Sequence, residues 1–231
     1  MVKTTIKFWL ALLVMVLPLP AKACSVAIVF AIDISRSVSP AEYIYQKNGL
    51  ARALVSAEIQ KLISFYPEGI MATVTVWSAA SQQKQMVPWT LLQGRSSVIE
   101  FSREIADMRR PYRFDLTAIA NALIHAGQMH VENQVRCDRL VIDISGDGVT
   151  SVIGQHPLSV AEGLAANGVI INALVIAGSA PDPVRYYAEQ VIRGPGAFMI
   201  VADGFQDFEE SMLRKLMREL APAVALLDTG E

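Results

Sequence analysis

The chain has no block of basic residues and no interleaving of basic with aromatic side chains, and its formal net charge is −2. Those absences argue against nucleic acid as a main partner. No G-x-G-x-x-G follows the first apolar run, and neither G-x-S-x-G nor a phosphate-binding loop occurs. The usual signatures of dinucleotide-binding and acyl-transferring enzymes are therefore missing. There is no internal repeat, low-complexity tract or long linker to separate domains. Cysteine occurs twice and histidine three times. What remains, 52% hydrophobic over 231 residues, is enough apolar material for one domain with a sizeable core.

The first 23 residues read as a targeting segment. Lys3 and Lys7 precede an apolar run from Phe8 to Leu17, and Ala21-Lys22-Ala23 fits a small-x-small cleavage pattern. The run is short of the roughly 20 residues that a membrane span takes. The expected division is a signal peptide, 1–23, and one domain, 24–231. An uncleaved anchor is the alternative. Cys24 at the new N-terminus raises a lipoprotein reading, for which Ala21 and Lys22 make a poor lipobox. The mature chain is expected to be exported, periplasmic first and secreted or lipid-anchored second, with no membrane span after cleavage.

Beyond Cys24, strand-like and helix-like stretches alternate. "SVAIVFAID" is a continuous apolar run, as in a strand buried on both faces. Helical spacing from Ser39 to about Tyr66 predicts one helix, with Pro40 at its first position. "IMATVTVWSA" predicts a second strand, and "KQMVPWTLL" an edge strand because Pro88 lacks a backbone donor. A serine-opened helix over "SSVIEFSREIADMRR" and a helix over "TAIANALIHAGQMH" precede the apolar strand "RLVIDISGDG". A helix over "PLSVAEGLAANG", closed by Gly168, and two strand–helix pairs follow, with "RGPGAF" as a turn before the last strand. This alternation predicts an α/β fold: a doubly wound, mostly parallel sheet with helices on both faces. In the common strand order 3-2-1-4-5-6, strands 1 and 4 are neighbours, and ligands bind in the crevice at their C-terminal ends.

Both of those strands end in oxygen donors. The first closes with Asp33-x-Ser35-x-Ser37 and the fourth with Asp147-Gly148, which the expected order sets face to face. Thr117 opens a helix between them. Hydroxyl and carboxylate oxygens suit a hard cation, with Mg²⁺ expected and Mn²⁺ or Ca²⁺ as alternatives. No histidine or cysteine is among the five, which disfavours zinc and copper. His125 and His130, five residues apart on one helix, make a poor metal pair, and His156 falls in a loop. Each of the five also has an ordinary structural use. Ser37 or Ser39 could cap the first helix, Thr117 the later one, and Asp147-Gly148 could form a turn. Asp115 is read as a loop residue, Arg36 as solvent-facing beside the site. Asp143, inside an apolar strand, is expected to be paired or at a sheet end. Trp77, Trp89, Tyr186 and Tyr187 are assigned to the core or its rim. Cys24 and Cys137 fall nine and ten residues before the two aspartates, at the opposite ends of the same neighbouring strands. Adjacent strands lie about 4.8 Å apart, close to the separation a disulfide accepts. A Cys24–Cys137 bond is expected, against a buried free Cys137 with a free or lipidated Cys24.

Asp33-x-Ser35-x-Ser37, then Thr117, then Asp147-Gly148, in that order on those elements, resembles the metal-ion-dependent adhesion site (MIDAS) of von Willebrand factor type A (vWA) domains. The resemblance covers nearly the whole mature chain in element order. It is nearest to an uncharacterised bacterial branch known only as a domain of unknown function. It implies that Ser35, Ser37 and Thr117 coordinate directly while Asp33 and Asp147 act largely through water. It also implies that an open position takes a Glu or Asp side chain from a protein partner, which makes the chain a docking module. One departure is Gly146, where many vWA domains carry a threonine; this removes a supporting hydrogen bond rather than the site. A haloacid-dehalogenase-type phosphatase would want a second aspartate where Ser35 stands. The competing readings are a vWA scaffold that interacts without metal, and a metal-dependent hydrolase in the same crevice.

Overall fold

The structure is a computed structural model describing residues 24–113 and 116–221. The expected signal peptide, Asp115 and the last ten residues lie outside the described residues.

Six strands form one sheet: β1 (Cys24–Asp33), β2 (Ile70–Trp77), β3 (Gln83–Leu92), β4 (Cys137–Gly146), β5 (Val169–Ile176) and β6 (Met199–Ala202). Their spatial order is β3-β2-β1-β4-β5-β6. All neighbours are parallel except β2 and β3. The sheet is thus mixed, with β3 as its antiparallel edge, and Pro88 falls where the β2–β3 register shifts. An edge bulge is a place where a missing backbone donor costs little.

Alternation along β1 divides the core. Val26, Ile28, Phe30 and Ile32 face one layer, built from α1 (Pro40–Val55), α2 (Ala57–Ile63), α3 (Arg95–Asp107) and α7 (Phe208–Glu219). Val29 and Ala31 face the other, built from α4 (Ile119–Glu132), α5 (Pro157–Ala166) and α6 (Pro183–Gln190). Burial on both faces accounts for the unbroken apolar reading of this strand. Trp77 and Tyr187 are fully buried, Trp89 and Tyr186 half-buried.

Local chemistry corrects two expected helices. The stretch 39–66 is not one helix, because Ser56 ends α1 and its hydroxyl accepts from Ile59 N–H to cap α2. Helix α3 is opened by Gly94, not by a serine. Helix α1 also crosses α7 closely. A Cβ on Gly49 would lie 2.8 Å from Phe208 Cδ1 and 3.2 Å from the Glu209 backbone, so the contact is possible only without a side chain there.

Two features tie β4 to its surroundings. At its start, Cys24 and Cys137 are register partners joined by a disulfide, with Cα atoms 4.6 Å apart. In its middle, Asp143 points to α7, where Lys215 Nζ lies 2.6 Å from Asp143 Oδ2 and 2.7 Å from Glu219 Oε2. Asn172 on β5 donates to Glu219 Oε1 at 2.7 Å. The strand aspartate is paired, and the side chains of the pair are buried.

One cation shared between two carboxylates leaves the cluster short of positive charge. Burial raises the Asp143 carboxyl to about 6, with Lys215 opposing and Glu219 adding to the rise. Burial would lower the Lys215 ammonium, but Asp143 and Glu219 overcome it and hold it raised. Lys215→Met, which leaves two carboxylates facing each other unpaired, is expected to cost about 3–5 kcal/mol in denaturant unfolding. A carboxyl raised on folding binds its proton more tightly in the folded state. Its stabilising share is therefore present below its ordinary value of 3.8 and is lost as pH rises through about 6. Wild-type unfolding free energy should fall more steeply over that window than that of Asp143→Asn.

Candidate metal centre

The β1–β4 pairing ends at Ile32–Ser145, so Asp33 and Gly146 lie side by side where the two strands part from each other. Immediately beyond, the polar side chains link in a chain. Ser35 N–H donates to Asp33 Oδ1 at 2.7 Å. The Ser35 and Ser37 hydroxyls are 3.2 Å apart, and Ser37 Oγ donates to Asp147 Oδ1 at 2.6 Å. A Cβ on Gly148 would lie 3.7 Å from Ser37 Oγ and 4.0 Å from Thr117 Oγ1. All five predicted residues thus converge at the carboxyl ends of β1 and β4.

The competing structural uses are largely taken by other residues. Ser39, not Ser37, caps α1, in a reciprocal box with Glu42. Helix α4 begins after Ala118 with no side-chain cap, so the Thr117 hydroxyl is not occupied there. Thr117 is held by its backbone instead: its N–H donates to Ser151 Oγ and its carbonyl accepts from Ser151 N–H, both at 2.9 Å. Ser78, just past β2, anchors the same turn by accepting from Ala118 N–H at 2.9 Å and donating to the Leu116 carbonyl at 3.2 Å.

Three supports carry no signal in the sequence. Gln46, fully buried on α1, donates to the Asp33 carbonyl at 2.9 Å and accepts from Ser145 Oγ at 3.1 Å, which bridges the two strand ends. Arg110, read as the last residue of the helix that in fact ends at Asp107, donates to the carbonyls of Ile34, Ser35 and Val38 at 2.6, 3.1 and 2.8 Å. It thereby fixes the curvature of the serine loop. Ser179 donates to the Asp147 carbonyl and ties in the segment before α6. Arg36 is exposed, as expected.

The electrostatics show what the site is short of. Asp33 is fully buried, and its Oδ2 has no hydrogen-bond partner. Burial, then repulsion from Asp147, pushes its carboxyl up to about 8, although the bonds from Ser35 and the charge of Arg110 pull the other way. Asp147 is also raised, chiefly by burial. Two buried carboxyls that oppose each other's ionisation, beside three hydroxyls, fit a hard divalent cation in donor type and charge. Ser35, Ser37, Thr117, Asp33 and Asp147 are the residues that would hold it. None of them is a histidine or cysteine. His125 Nε2 contacts Thr75 Oγ1 at 3.1 Å, and His130, lowered to about 4 by burial, contacts the Val141 carbonyl at 3.0 Å. Among the described residues no cluster of three or more histidine, cysteine or acidic side chains occurs, so any cation site here depends on hydroxyls. A groove of about 980 Å³ between α4 and α5 is lined by none of the five.

Strand order, two-layer helix cover and the oxygen-lined crevice define a vWA-like α/β fold. The chain belongs to the family described as "Protein of unknown function (DUF1194)", which matches residues 23–224. No curated protein matches it. Among solved structures it is similar to proximal thread matrix protein 1 from the mussel byssus, at 20% identity and a TM-score of 0.65, over 87% of this chain and 49% of that one. The chain thus spans about half the length of that relative. The same protein has been solved with a zinc-occupied MIDAS motif, at 17% identity and a TM-score of 0.61 over 86% and 46% of the chains. BatB from Bacteroides thetaiotaomicron aligns over 85% of this chain and 99% of its own, at 14% identity and a TM-score of 0.58. At these identities the likeness concerns the fold.

Gln46→Leu would leave the Asp33 carbonyl and the Ser145 hydroxyl buried without partners. It is expected to lower the unfolding free energy by about 2–4 kcal/mol. Gln46→Leu/Ser145→Ala should recover part of that loss in the same denaturant titration, because one of the two orphaned groups is gone.

Proposed function

We propose that this chain is an exported vWA-like module that binds a divalent cation through Asp33, Ser35, Ser37, Thr117 and Asp147 and docks a protein partner by a Glu or Asp side chain. The observation that carries this reading is the buried, unpartnered Asp33 Oδ2 beside a continuous Asp33–Ser35–Ser37–Asp147 chain. A structural cap or turn would not leave a carboxylate oxygen orphaned at a strand end.

The cation would supply positive charge between the two carboxyls and an attraction for an anionic ligand. The protein's own share is orientation. Arg110 and Gln46 hold the β1 end, and Ser151, Ser78 and Ser179 hold the segments carrying Thr117 and Asp147. Because three of the five donors are neutral hydroxyls, the bound ion keeps much of its charge and attracts a partner's carboxylate. Mg²⁺ is the preferred ion on donor hardness, with Mn²⁺ and Ca²⁺ next. Exposed Arg36, beside the serine loop, adds an anion-attracting charge at the rim. We infer a binding role rather than catalysis, since His125 and His130 already make contacts to Thr75 and Val141, and Glu42, whose charge is felt by Asp147, is engaged in the cap of α1. Export is supported by the apolar leader and by the Cys24–Cys137 disulfide, a bond favoured in oxidising compartments. Among the described residues no helix is long and apolar enough to cross a membrane.

The test is calorimetric titration of Mg²⁺, Mn²⁺, Ca²⁺ and Zn²⁺ into metal-stripped residues 24–231, beside Asp33→Ala/Ser35→Ala. Saturable binding by wild type alone is expected. At a hundredfold excess over Kd the ion should add about 2.7 kcal/mol of stability to the wild type. A glutamate-containing peptide should then bind only in the presence of the ion. Absence of binding by both ion and ion-plus-peptide would overturn the reading.

A further inference from the structure

Gly146 closes β4 immediately before Asp147, and the structure shows what fills the space that its missing side chain leaves. A Cβ added there would overlap the Tyr187 hydroxyl and come within 3.4 Å of Tyr187 Cζ and 3.1 Å of Asp33 Oδ2. The phenol of a residue 41 positions further along the chain therefore reaches the floor of the candidate site, and the missing side chain at 146 is what admits it. Tyr187 is fully buried on α6, its ring set in the core formed by α4, α5 and α6. Its hydroxyl has no hydrogen-bond partner, and neither does Asp33 Oδ2. One is a donor and the other an acceptor, and both border the same point beside Gly146. Nothing else in the site accounts for either.

We propose that Tyr187 is a positioning residue for the cation site: its hydroxyl and Asp33 Oδ2, both without a partner beside the space left open at Gly146, bond to each other, the hydroxyl donating, when a cation is held. The assignment rests on the cation-binding reading above. A donor aimed at a carboxylate from behind favours its ionised form and fixes the direction of its remaining lone pairs, and such supports typically alter metal affinity by 10–100-fold. The ring is well placed for this. The Tyr187 carbonyl accepts from both Val191 and Ile192 N–H at 3.0 Å, which closes the end of α6, and the preceding segment is bonded to Asp147 through Ser179. The donor and the second aspartate are thus carried by one connected piece of structure. The sequence gives tyrosine at 187 no such role, because its distance from Asp33 along the chain conceals the contact.

The experiment is a cycle of variants measured by calorimetric titration of Mn²⁺ and Mg²⁺ into metal-stripped protein, with metal-free melting curves alongside. Tyr187→Phe keeps the ring and removes the donor. It is expected to weaken cation binding about tenfold while leaving the metal-free Tm unchanged or slightly raised, since an orphaned hydroxyl leaves the core. Gly146→Thr alone should collide with the tyrosine and lower Tm. Gly146→Thr/Tyr187→Phe supplies a hydroxyl from the other side of the same space, and should return the Kd to within about threefold of wild type. Unchanged Kd in Tyr187→Phe, or no recovery in a folded double variant, would overturn the inference and leave the cation site standing. If the wild type binds no cation, both fall together.

Discussion

The parallel pairing of β1 with β4 is the constraint on which the rest of the molecule depends. Their register, from Cys24–Cys137 at one end to Ile32–Ser145 at the other, brings two strand termini side by side at both ends of the sheet. At one end it makes a disulfide. At the other it brings Asp33 and Asp147 into the low-dielectric floor of one crevice, where like charges resist ionisation. Gln46 locks that register by bonding to both strands at their last residues, so a slip of β1 against β4 would break two buried hydrogen bonds as well as the hydrophobic alternation.

Strand β4 and the residue that follows it carry two buried acids, Asp143 and Asp147, and the protein treats them differently. Asp143 is answered from within by Lys215, a fully buried ammonium that serves Glu219 as well. Asp147 and its neighbour Asp33 have no such cation. The nearest guanidinium, Arg110, directs its donors to loop carbonyls and contributes only a weak pull on Asp33. A closed cluster with one internal cation between its two carboxylates holds α7 to the sheet; at the crevice the two carboxyls face each other with no ammonium between them among the described residues. The internal cation distinguishes the two sites more clearly than burial does, since both are buried.

The candidate site was legible to the extent that its residues end strands or begin helices. Asp33, Ser35, Ser37 and Asp147 follow apolar runs whose length and β-branched content mark them as strands, and strand ends in this topology are where a ligand crevice lies. Thr117 was legible as an oxygen at a helix start but not as a free one, because its lack of a capping role depends on where α4 begins. The supports were not legible. Gln46 sits on the buried face of a helix, Arg110 just past the end of α3 and Tyr187 on a short helix that reads as ordinary core. What each does is set by a contact with a residue distant in sequence. The break at Ser56 was missed for a different reason: helical periodicity continues across it, and only the Ser56 hydroxyl bond to Ile59 N–H reveals the restart.

Sequence by itself determined the alternation of strand and helix, the strand order through the rules of parallel winding, and the oxygen-rich ends of strands 1 and 4. These follow from local periodicity and from handedness, which act on every α/β chain alike. Tertiary structure decided which hydroxyls are engaged elsewhere, which acid meets an internal cation, and what fills the space left by Gly146. Those outcomes depend on distances of a few ångströms between segments far apart in the chain, such as Thr117 and Ser151 or Asp143 and Lys215. Hydrogen bonding and burial switch on or off over such distances, and no local pattern in the chain encodes them.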